Sequence, residues 1–328
     1  MKLQRFLEHH GVDKNPFAEE DAQTDPVFKE HCIAGTYHPS WDKIYGDPQE
    51  PATSVVFGEK GSGKTALRLQ IAQHLTEHNR RSPLKRAFVI QYDDFNPFLD
   101  RFRDTLWGNR PPEKVLEQWM LWDHMDSILA LGVTKLVDSV VQPSGDDLKP
   151  DVAKLSRHEA RDLLLLSACY DQSTAEPFRV RWHRLRRALK FRTWKSWQPM
   201  LIGVVVTAVV CGLIASLSKW DWLESAWPYV IVAAGWLPWA WRFARRWWTA
   251  RSISSNLRVL ERNSGLLRKV LMRLTNDELL QQPLPNKQRT DDRFEMLNKF
   301  QGVLQTLGYP AIVVLVDRLD EPHLVNGS

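Results

Sequence analysis

The chain has 328 residues, of which 43% are hydrophobic and 25% charged, so it has the composition of a globular protein and the length of about two domains. Its 44 basic and 39 acidic side chains leave a formal charge of +5, which is too small to indicate a polyanionic partner by itself. Three cysteines, Cys32, Cys169 and Cys211, lie too far apart for a disulfide framework and suggest a reducing compartment.

Residues 1–50 are polar and rich in turn-forming residues, and the first ten lack the apolar core of a secretory signal. We expect this lead-in segment to wrap a domain whose first part covers residues 51–110. Residues 53–57 predict a short strand, and residues 66–75 have the apolar spacing of a helix.

Between that strand and that helix lies a predicted phosphate-binding loop, residues 58–65, whose sequence GEKGSGKT matches G-x-x-x-x-G-K-[ST]. Its glycines let several backbone N–H groups converge on phosphate oxygens, and the helix adds the positive end of its dipole. We expect Lys64 to contact the β- and γ-phosphates, where it stabilises charge during catalysis, and the Thr65 hydroxyl to bind Mg²⁺. The residues predicted to bind the nucleotide are Gly58, Glu59, Lys60, Gly61, Ser62, Gly63, Lys64, Thr65 and Ala66.

Residues 87–92 predict a second buried strand, which ends in Asp93 and Asp94. Functional groups of α/β proteins lie at such strand ends. A solvated pair of turn residues is nevertheless the favoured interpretation of these two aspartates. Residues 111–177 then predict an all-helical insertion, in which the leucines at 163–166 form part of a core.

Two apolar runs, residues 201–217 and 226–241, predict a transmembrane hairpin within residues 178–250. Each run is close to the lower limit of about 17 residues for crossing the hydrocarbon, and tryptophans cluster at the ends of the runs. Prolines and a glycine interrupt the second run, so a buried or re-entrant hairpin is the alternative. A small-residue stripe suited to close helix packing is formed by Ala208, Gly212 and Ser216.

Basic residues flank both outer ends of this hairpin, whereas the loop between the runs is not basic. We therefore expect a two-span membrane protein with both termini cytoplasmic, as in a bacterial inner membrane, and the lipid bilayer as its partner. The basic segment 179–195 also permits a nucleic-acid interpretation, with Trp182 and Trp194 stacking on bases. Membrane topology explains this segment better, because it directly precedes an apolar run.

A helical return segment is predicted over residues 251–309, beginning with a basic amphipathic helix over 252–275. The last part of the nucleotide domain, residues 310–328, opens with a continuous apolar run that predicts a parallel strand ending at Asp317. With the phosphate-binding loop, this is the Walker B pattern, whose aspartate holds the Mg²⁺ shell opposite the loop hydroxyl of Thr65.

Hydrolysis also needs a carboxylate that orients or deprotonates the attacking water. Glu321 and Asp320 are the candidates, and Glu321 is preferred. A capping or surface role is the alternative for both residues.

The 58–65 loop and the VDRLDE sequence at residues 316–321 resemble P-loop NTPases of the AAA/STAND/KAP grouping. A membrane hairpin between the two motifs is most similar to the KAP type. The resemblance implies an α/β fold, in which a P-loop NTPase parallel sheet carries the all-helical insertion and the two-helix transmembrane hairpin. It also implies ATP as the nucleotide, Mg²⁺ as the metal and self-assembly into a homo-oligomer. One departure is Arg318, at a position where many relatives have glutamate.

The function predicted from these observations is a membrane-anchored, ATP-binding switch or scaffold in signalling or defence, with an unidentified protein partner. No candidate sensor strand, arginine finger or lid follows Glu321, so we expect an incomplete sheet and poor hydrolysis by these residues alone. One alternative is a nucleotide-responsive membrane interaction protein with little hydrolysis. The other is an AAA-like ATPase that binds nucleic acid through residues 179–195.

Overall fold

The computed structural model is mostly helical and divides into two compact units. Unit 1 comprises residues 1–97 and 301–328, and unit 2 comprises residues 98–300. The residues that the structure describes are 3–11, 15, 19, 21–35, 37–59, 61–106, 112–143, 150–192, 197–216, 220–279 and 282–317.

The elements follow one another in this order: α1 (Leu3–His9), a π-helical turn (Phe28–Cys32), α2 (Trp41–Tyr45), α3 (Lys64–Arg81), β1 (Ala87–Tyr92), α4 (Asn96–Thr105), α5 (Pro112–Leu116), α6 (Leu121–Val141), a 3₁₀ turn (Val152–Lys154), α7 (Arg157–Tyr170), α8 (Phe178–Ala188), α9 (Gln198–Ser216), a 3₁₀ turn (Trp220–Glu224), α10 (Trp227–Asn256), α11 (Ser264–Leu271), α12 (Asn276–Leu279), α13 (Thr290–Thr306) and β2 (Ala311–Val316).

Unit 1 contains a two-stranded parallel sheet in which β1 pairs with β2. Ala87 lies opposite Ala311, and the Asp317 N–H continues the ladder by donating to the Tyr92 carbonyl. The helix α3 packs on this sheet through Leu75, because both strands are apolar and need a cover. Both strands were predicted at these positions, and the small parallel sheet is compatible with an α/β fold.

The predicted strand over residues 53–57 is wrong, because this segment pairs with no strand in the described part of the chain. Its apolar side chains are open to solvent: Phe57 is 90% exposed and Val55 70%. An apolar, β-branched run forms a strand only where a neighbour satisfies its N–H and C=O groups. The sheet that the structure describes is therefore a single pair of strands.

Unit 2 has a helical core to which α6, α7 and α8 contribute, and the predicted leucine run at 163–166 lies in this core at 0–2% exposure. Buried ion pairs cross the core. Arg293 of α13 and Asp126 of α6 are both fully buried, and the guanidinium donates to both carboxylate oxygens at 3.2 to 3.3 Å. The Tyr170 hydroxyl also donates to Asp126, at 2.9 Å, and Arg293 donates to the carbonyl of Asn256 at the end of α10.

We call these four residues (Asp126, Tyr170, Asn256 and Arg293) the charge hub. Burial raises the pKa of Asp126 to about 6, although its bonds to Arg293 and Tyr170 act in the opposite direction. The charge hub therefore links α6, α7, α10 and α13 around one carboxylate, and burial makes ionisation of this carboxylate unfavourable.

The helices α9 and α10 pack side by side as a hairpin. Among the described helices, α9 alone is long and apolar enough to cross a membrane, with 11% of its apolar window buried. The close approach lies at Gly203 and Gly235, where an added Cβ would come within 2.7 Å of Trp236 and 2.8 Å of Val206, respectively. The predicted packing stripe is therefore wrong at Gly212, which has nothing within 4 Å of such a Cβ.

The single basic helix predicted over residues 252–275 is also wrong. The helix α10 runs without interruption to Asn256, and α11 begins only at Ser264. Between them the chain leaves the helix to bury three apolar side chains at 1–3% exposure, Leu257, Val259 and Leu260. The burial of these side chains outweighs the helical propensity of the segment.

Candidate nucleotide site

The predicted phosphate-binding loop has a backbone that only glycine adopts easily. Gly61 and Gly63 have φ values of 85° and 86°, in the left-handed region where a Cβ is strained. At Gly58 the reason is close packing, since an added Cβ would lie 2.3 Å from the Ser62 hydroxyl oxygen. The loop sequence therefore fixes a tight turn directly before α3.

The first turn of α3 provides a positive surface. Gly63 is its N-cap residue and gives no side-chain cap, and the first turn contains no acidic residue, so its N–H groups can bind an anion. The Lys64 ammonium lies over the loop, donating to the carbonyls of Gly58 at 2.8 Å and Glu59 at 3.1 Å. Ala66 is half-buried in the same turn.

Thr65 and Asp317 meet although 252 positions separate them in the chain. The Thr65 hydroxyl donates to the Asp317 carboxylate across 3.1 Å. Two neighbouring oxygen ligands of an octahedral Mg²⁺ lie about 3 Å apart, because each Mg–O bond is about 2.0–2.1 Å. These two oxygens therefore fit adjacent positions of a magnesium shell.

Arg68 is a site residue that the sequence interpretation missed. Its Nε donates to Asp317 and its Nη1 to Asp93, both at 3.1 Å, and its side chain is only 6% exposed. Its Nη2 is buried without a hydrogen bond to any described residue. The sequence spacing could have predicted this position, because Arg68 follows Lys64 by one helical turn and so lies on the same face of α3.

Asp93 thus belongs to the site, although a solvated turn was the favoured interpretation. It follows β1, whereas Asp317 follows β2, and the carboxyl ends of parallel strands share one edge of a sheet. Three predicted site residues, Lys60, Asp320 and Glu321, lie outside the described residues. The described part of the candidate site is accordingly a glycine-rich turn with one hydroxyl, two carboxylates and two cations.

The basic segment before α9 is less available to nucleic acid than its sequence indicates. Arg181 is fully buried and paired with Asp171 at 3.0 Å and Asp138 at 2.7 Å. Trp182 is 1% exposed, and its indole N–H donates to the Leu164 carbonyl. The proposed stacking role of Trp182 is therefore wrong, and Trp194 lies outside the described residues.

Comparison with protein-family models, with curated proteins and with solved structures gives no match for this chain.

Proposed function

We propose that this chain is a membrane-anchored P-loop nucleotide switch that binds ATP together with Mg²⁺. The observation that carries the proposal is the 3.1 Å contact between the Thr65 hydroxyl and the Asp317 carboxylate, next to a glycine-rich turn and the Lys64 ammonium. Phosphoryl chemistry needs this combination of a backbone anion nest, a lysine, a hydroxyl and a carboxylate. The described site offers all four.

Each residue has a distinct role in this proposal. The N–H groups at the start of α3 hold the phosphates, and Lys64 moves from the loop carbonyls to a phosphate oxygen. Thr65 and Asp317 hold Mg²⁺, which when bound neutralises the charge on the phosphates. Arg68 neutralises Asp317 and Asp93 when no metal is present.

Arg68 also favours the second candidate, a nucleotide-responsive protein with little hydrolysis. Its guanidinium holds the same carboxylate oxygen of Asp317 that accepts from Thr65. A metal ion must therefore compete with a buried cation for this carboxylate, which weakens metal binding relative to a site without the arginine. Slow turnover with measurable binding is the expected behaviour.

The membrane part of the proposal concerns α9 and the first half of α10 as two spans. The hairpin exposes many large apolar side chains, among them Val205 at 57% and Leu237 at 67%. A contiguous apolar surface of this kind needs a cover, and lipid is the cover that the tryptophans near the helix ends favour. The basic flanks favour a cytoplasmic position for both termini.

The decisive experiment is a titration of the purified full chain with a fluorescent ATP analogue in the presence and absence of Mg²⁺. Lys64→Ala should weaken binding about 10- to 100-fold, since a charge-assisted hydrogen bond contributes about 1.5–3 kcal/mol. The matched control is Lys85→Ala, at an exposed lysine in the turn before β1. Asp317→Asn should remove the gain in affinity that Mg²⁺ gives.

Equal affinities of the Lys64→Ala and Lys85→Ala variants would refute the nucleotide site. Binding that depends on Lys64 but gains nothing from Mg²⁺ would retain the phosphate loop and reject the Thr65–Asp317 metal site. Turnover is measured separately, because both candidate functions predict nucleotide binding and neither requires substantial hydrolysis by these residues alone.

A further inference from the structure

A cavity of about 390 Å³ in unit 2 carries basic and aromatic side chains at the base of the hairpin. Its lining comes from α8, the start of α9, the middle of α10, and α11 with the turn that follows it. Its basic residues other than histidine are Arg179, Arg186, Arg268, Lys269 and Arg273. No acidic residue lines it among the described residues.

Two of the positive charges in this cavity, those of Arg179 and Arg273, have no acidic partner among the described residues. The guanidinium groups of these two residues form no hydrogen bond or ion pair with the described residues. Burial and then the charges of neighbouring arginines, with Arg273 the first of them, lower the pKa of the His183 imidazole. Like charges held together repel, and a bound anion removes that cost.

The cavity is built into the fold rather than formed by loose surface side chains. Arg242 of α10 is buried and donates to the carbonyls of Met272 at 3.0 Å and Leu274 at 2.7 Å. Arg246 of the same helix donates to the Asn276 side chain at 2.6 Å. These bonds attach α10 to the chain just after α11, and so hold the basic side chains of α11 opposite the aromatic side chains of α10.

The opposite wall is aromatic and lies where the apolar runs begin or end. Trp197 and Met200 lie just before the first apolar run, residues 201–217. Trp239 lies near the end of the second run, residues 226–241, and Phe243 lies just after it. The Arg268 guanidinium lies over the Phe243 ring, 4.4 Å from its centroid. A cavity with a basic half and an aromatic half at the outer ends of the two apolar runs suits a ligand with an anionic head and an apolar body.

We propose that this cavity binds the phosphate headgroup of an anionic phospholipid. The proposal rests on the membrane placement of α9 and α10 given above, and it adds a specific lipid site to that placement. The phosphate lies between the free guanidinium groups of Arg179 and Arg273, and the glycerol and upper acyl chain lie against Trp239 and Trp197. A cavity of this volume is within the usual range of about 300–1,000 Å³ for small-molecule sites.

The test is native mass spectrometry of the detergent-solubilised full chain with phosphatidylglycerol or phosphatidylcholine of the same acyl chains. We expect the wild type to bind phosphatidylglycerol at least tenfold more tightly. The double variant Arg179→Gln/Arg273→Gln should lose about thirtyfold in affinity for it, from roughly fivefold for each charge. Neither arginine makes an ion pair, and removing them relieves repulsion between like charges, so the melting temperature should not fall.

The matched control is Arg245→Gln/Arg251→Gln, which removes the same charge from the basic residues that follow the hairpin but outside the cavity. This control should retain wild-type affinity within twofold. Equal losses in the two double variants, or equal binding of the two lipids by the wild type, would overturn the proposal. So would displacement of the lipid by equimolar inorganic phosphate, which would identify a free-anion site, or by short single-stranded DNA, which would identify a nucleic-acid site.

These outcomes are separable from the proposed function. Lipid binding in detergent does not require bilayer insertion, whereas retention in carbonate-washed membranes does not require this cavity. Binding of ATP with Mg²⁺ by the Arg179→Gln/Arg273→Gln variant should equal that of the wild type, because both substitutions lie in unit 2.

Discussion

Replacing Arg293 with methionine tests whether the charge hub stabilises unit 2. The variant keeps the length and apolar stem of the side chain but leaves Asp126 without its cation. Both partners are 0% exposed, and the guanidinium makes three bonds to the carboxylate and one to the Asn256 carbonyl at the end of α10. Breaking a buried ion pair by removing one partner costs about 3–5 kcal/mol. We expect the lower end of that range, because Asp126 can take up a proton once the arginine is gone.

The control is Arg101→Met, the same substitution at an exposed pair in the same unit. Arg101 is 44% and its partner Glu261 79% exposed, and such pairs contribute about 0–1 kcal/mol. The assay is thermal unfolding of the solubilised full chain followed by circular dichroism. At about 2–4 °C for each kcal/mol in a unit of this size, Arg293→Met should lower the melting temperature by roughly 10 °C and Arg101→Met by less than about 4 °C.

A second variant separates the cost of leaving one buried carboxylate unpaired from the loss of the ion pair itself. Asp126→Leu combined with Arg293→Met removes both buried charges, and such replacements are often neutral or stabilising. The double variant should therefore melt above the single Arg293→Met variant. If Arg293→Met costs no more than Arg101→Met, the reasoning about the hub is refuted.

Three further predictions concern protonation and membrane placement. Because the folded state holds the Asp126 proton more tightly, with a pKa of about 6 against an ordinary 3.8, wild-type stability should gain roughly 2 kcal/mol over Asp126→Asn as the pH falls from 7 to 4.5. A pH-independent difference in unfolding free energy would contradict this. Cys211 is exposed on the surface of α9, so a membrane-impermeant maleimide should label this cysteine when the hairpin is not inserted but not in intact membranes. Cys169 is buried, and burial raises the pKa of its thiol to about 12, so it should react only after unfolding. The chain should stay in membranes through high-salt and carbonate washes and be released by detergent, and release by either wash would contradict the two-span proposal.

The sequence was most informative where one strong local pattern had one structural solution. Residues 87–92 and the apolar run before Asp317 are continuous β-branched and aromatic stretches, and both form strands at the predicted positions. Asp93 and Asp317 lie close together for the same reason, because each follows one of two parallel strands, which bring their carboxyl ends to one edge. Burial of the leucine run at 163–166 follows from hydrophobicity alone.

The errors arose where tertiary context decided the outcome. Residues 53–57 have strand propensity, yet no described neighbour pairs with them. The helix predicted over 252–275 is interrupted because three apolar side chains are buried in the gap, which periodicity does not show. Arg68 was passed over because an arginine on an amphipathic helix is usually solvated, and only the position of the two strand ends gives it partners. The hairpin contact lies at Gly235, where packing against a specific valine cannot be inferred from spacing.

The uninterrupted course of α10 has a mechanical consequence. At 1.5 Å per residue its 30 residues form a rod of about 45 Å. In the proposed placement its first half lies in lipid, while its last residue, Asn256, accepts a hydrogen bond from Arg293. Spanning helices tilt when the bilayer thins or thickens, and a tilt of about 10° displaces the far end of such a rod by about 8 Å. A change in bilayer thickness would then displace Asn256, and through its hydrogen bond to Arg293 it would strain the buried ion pair with Asp126.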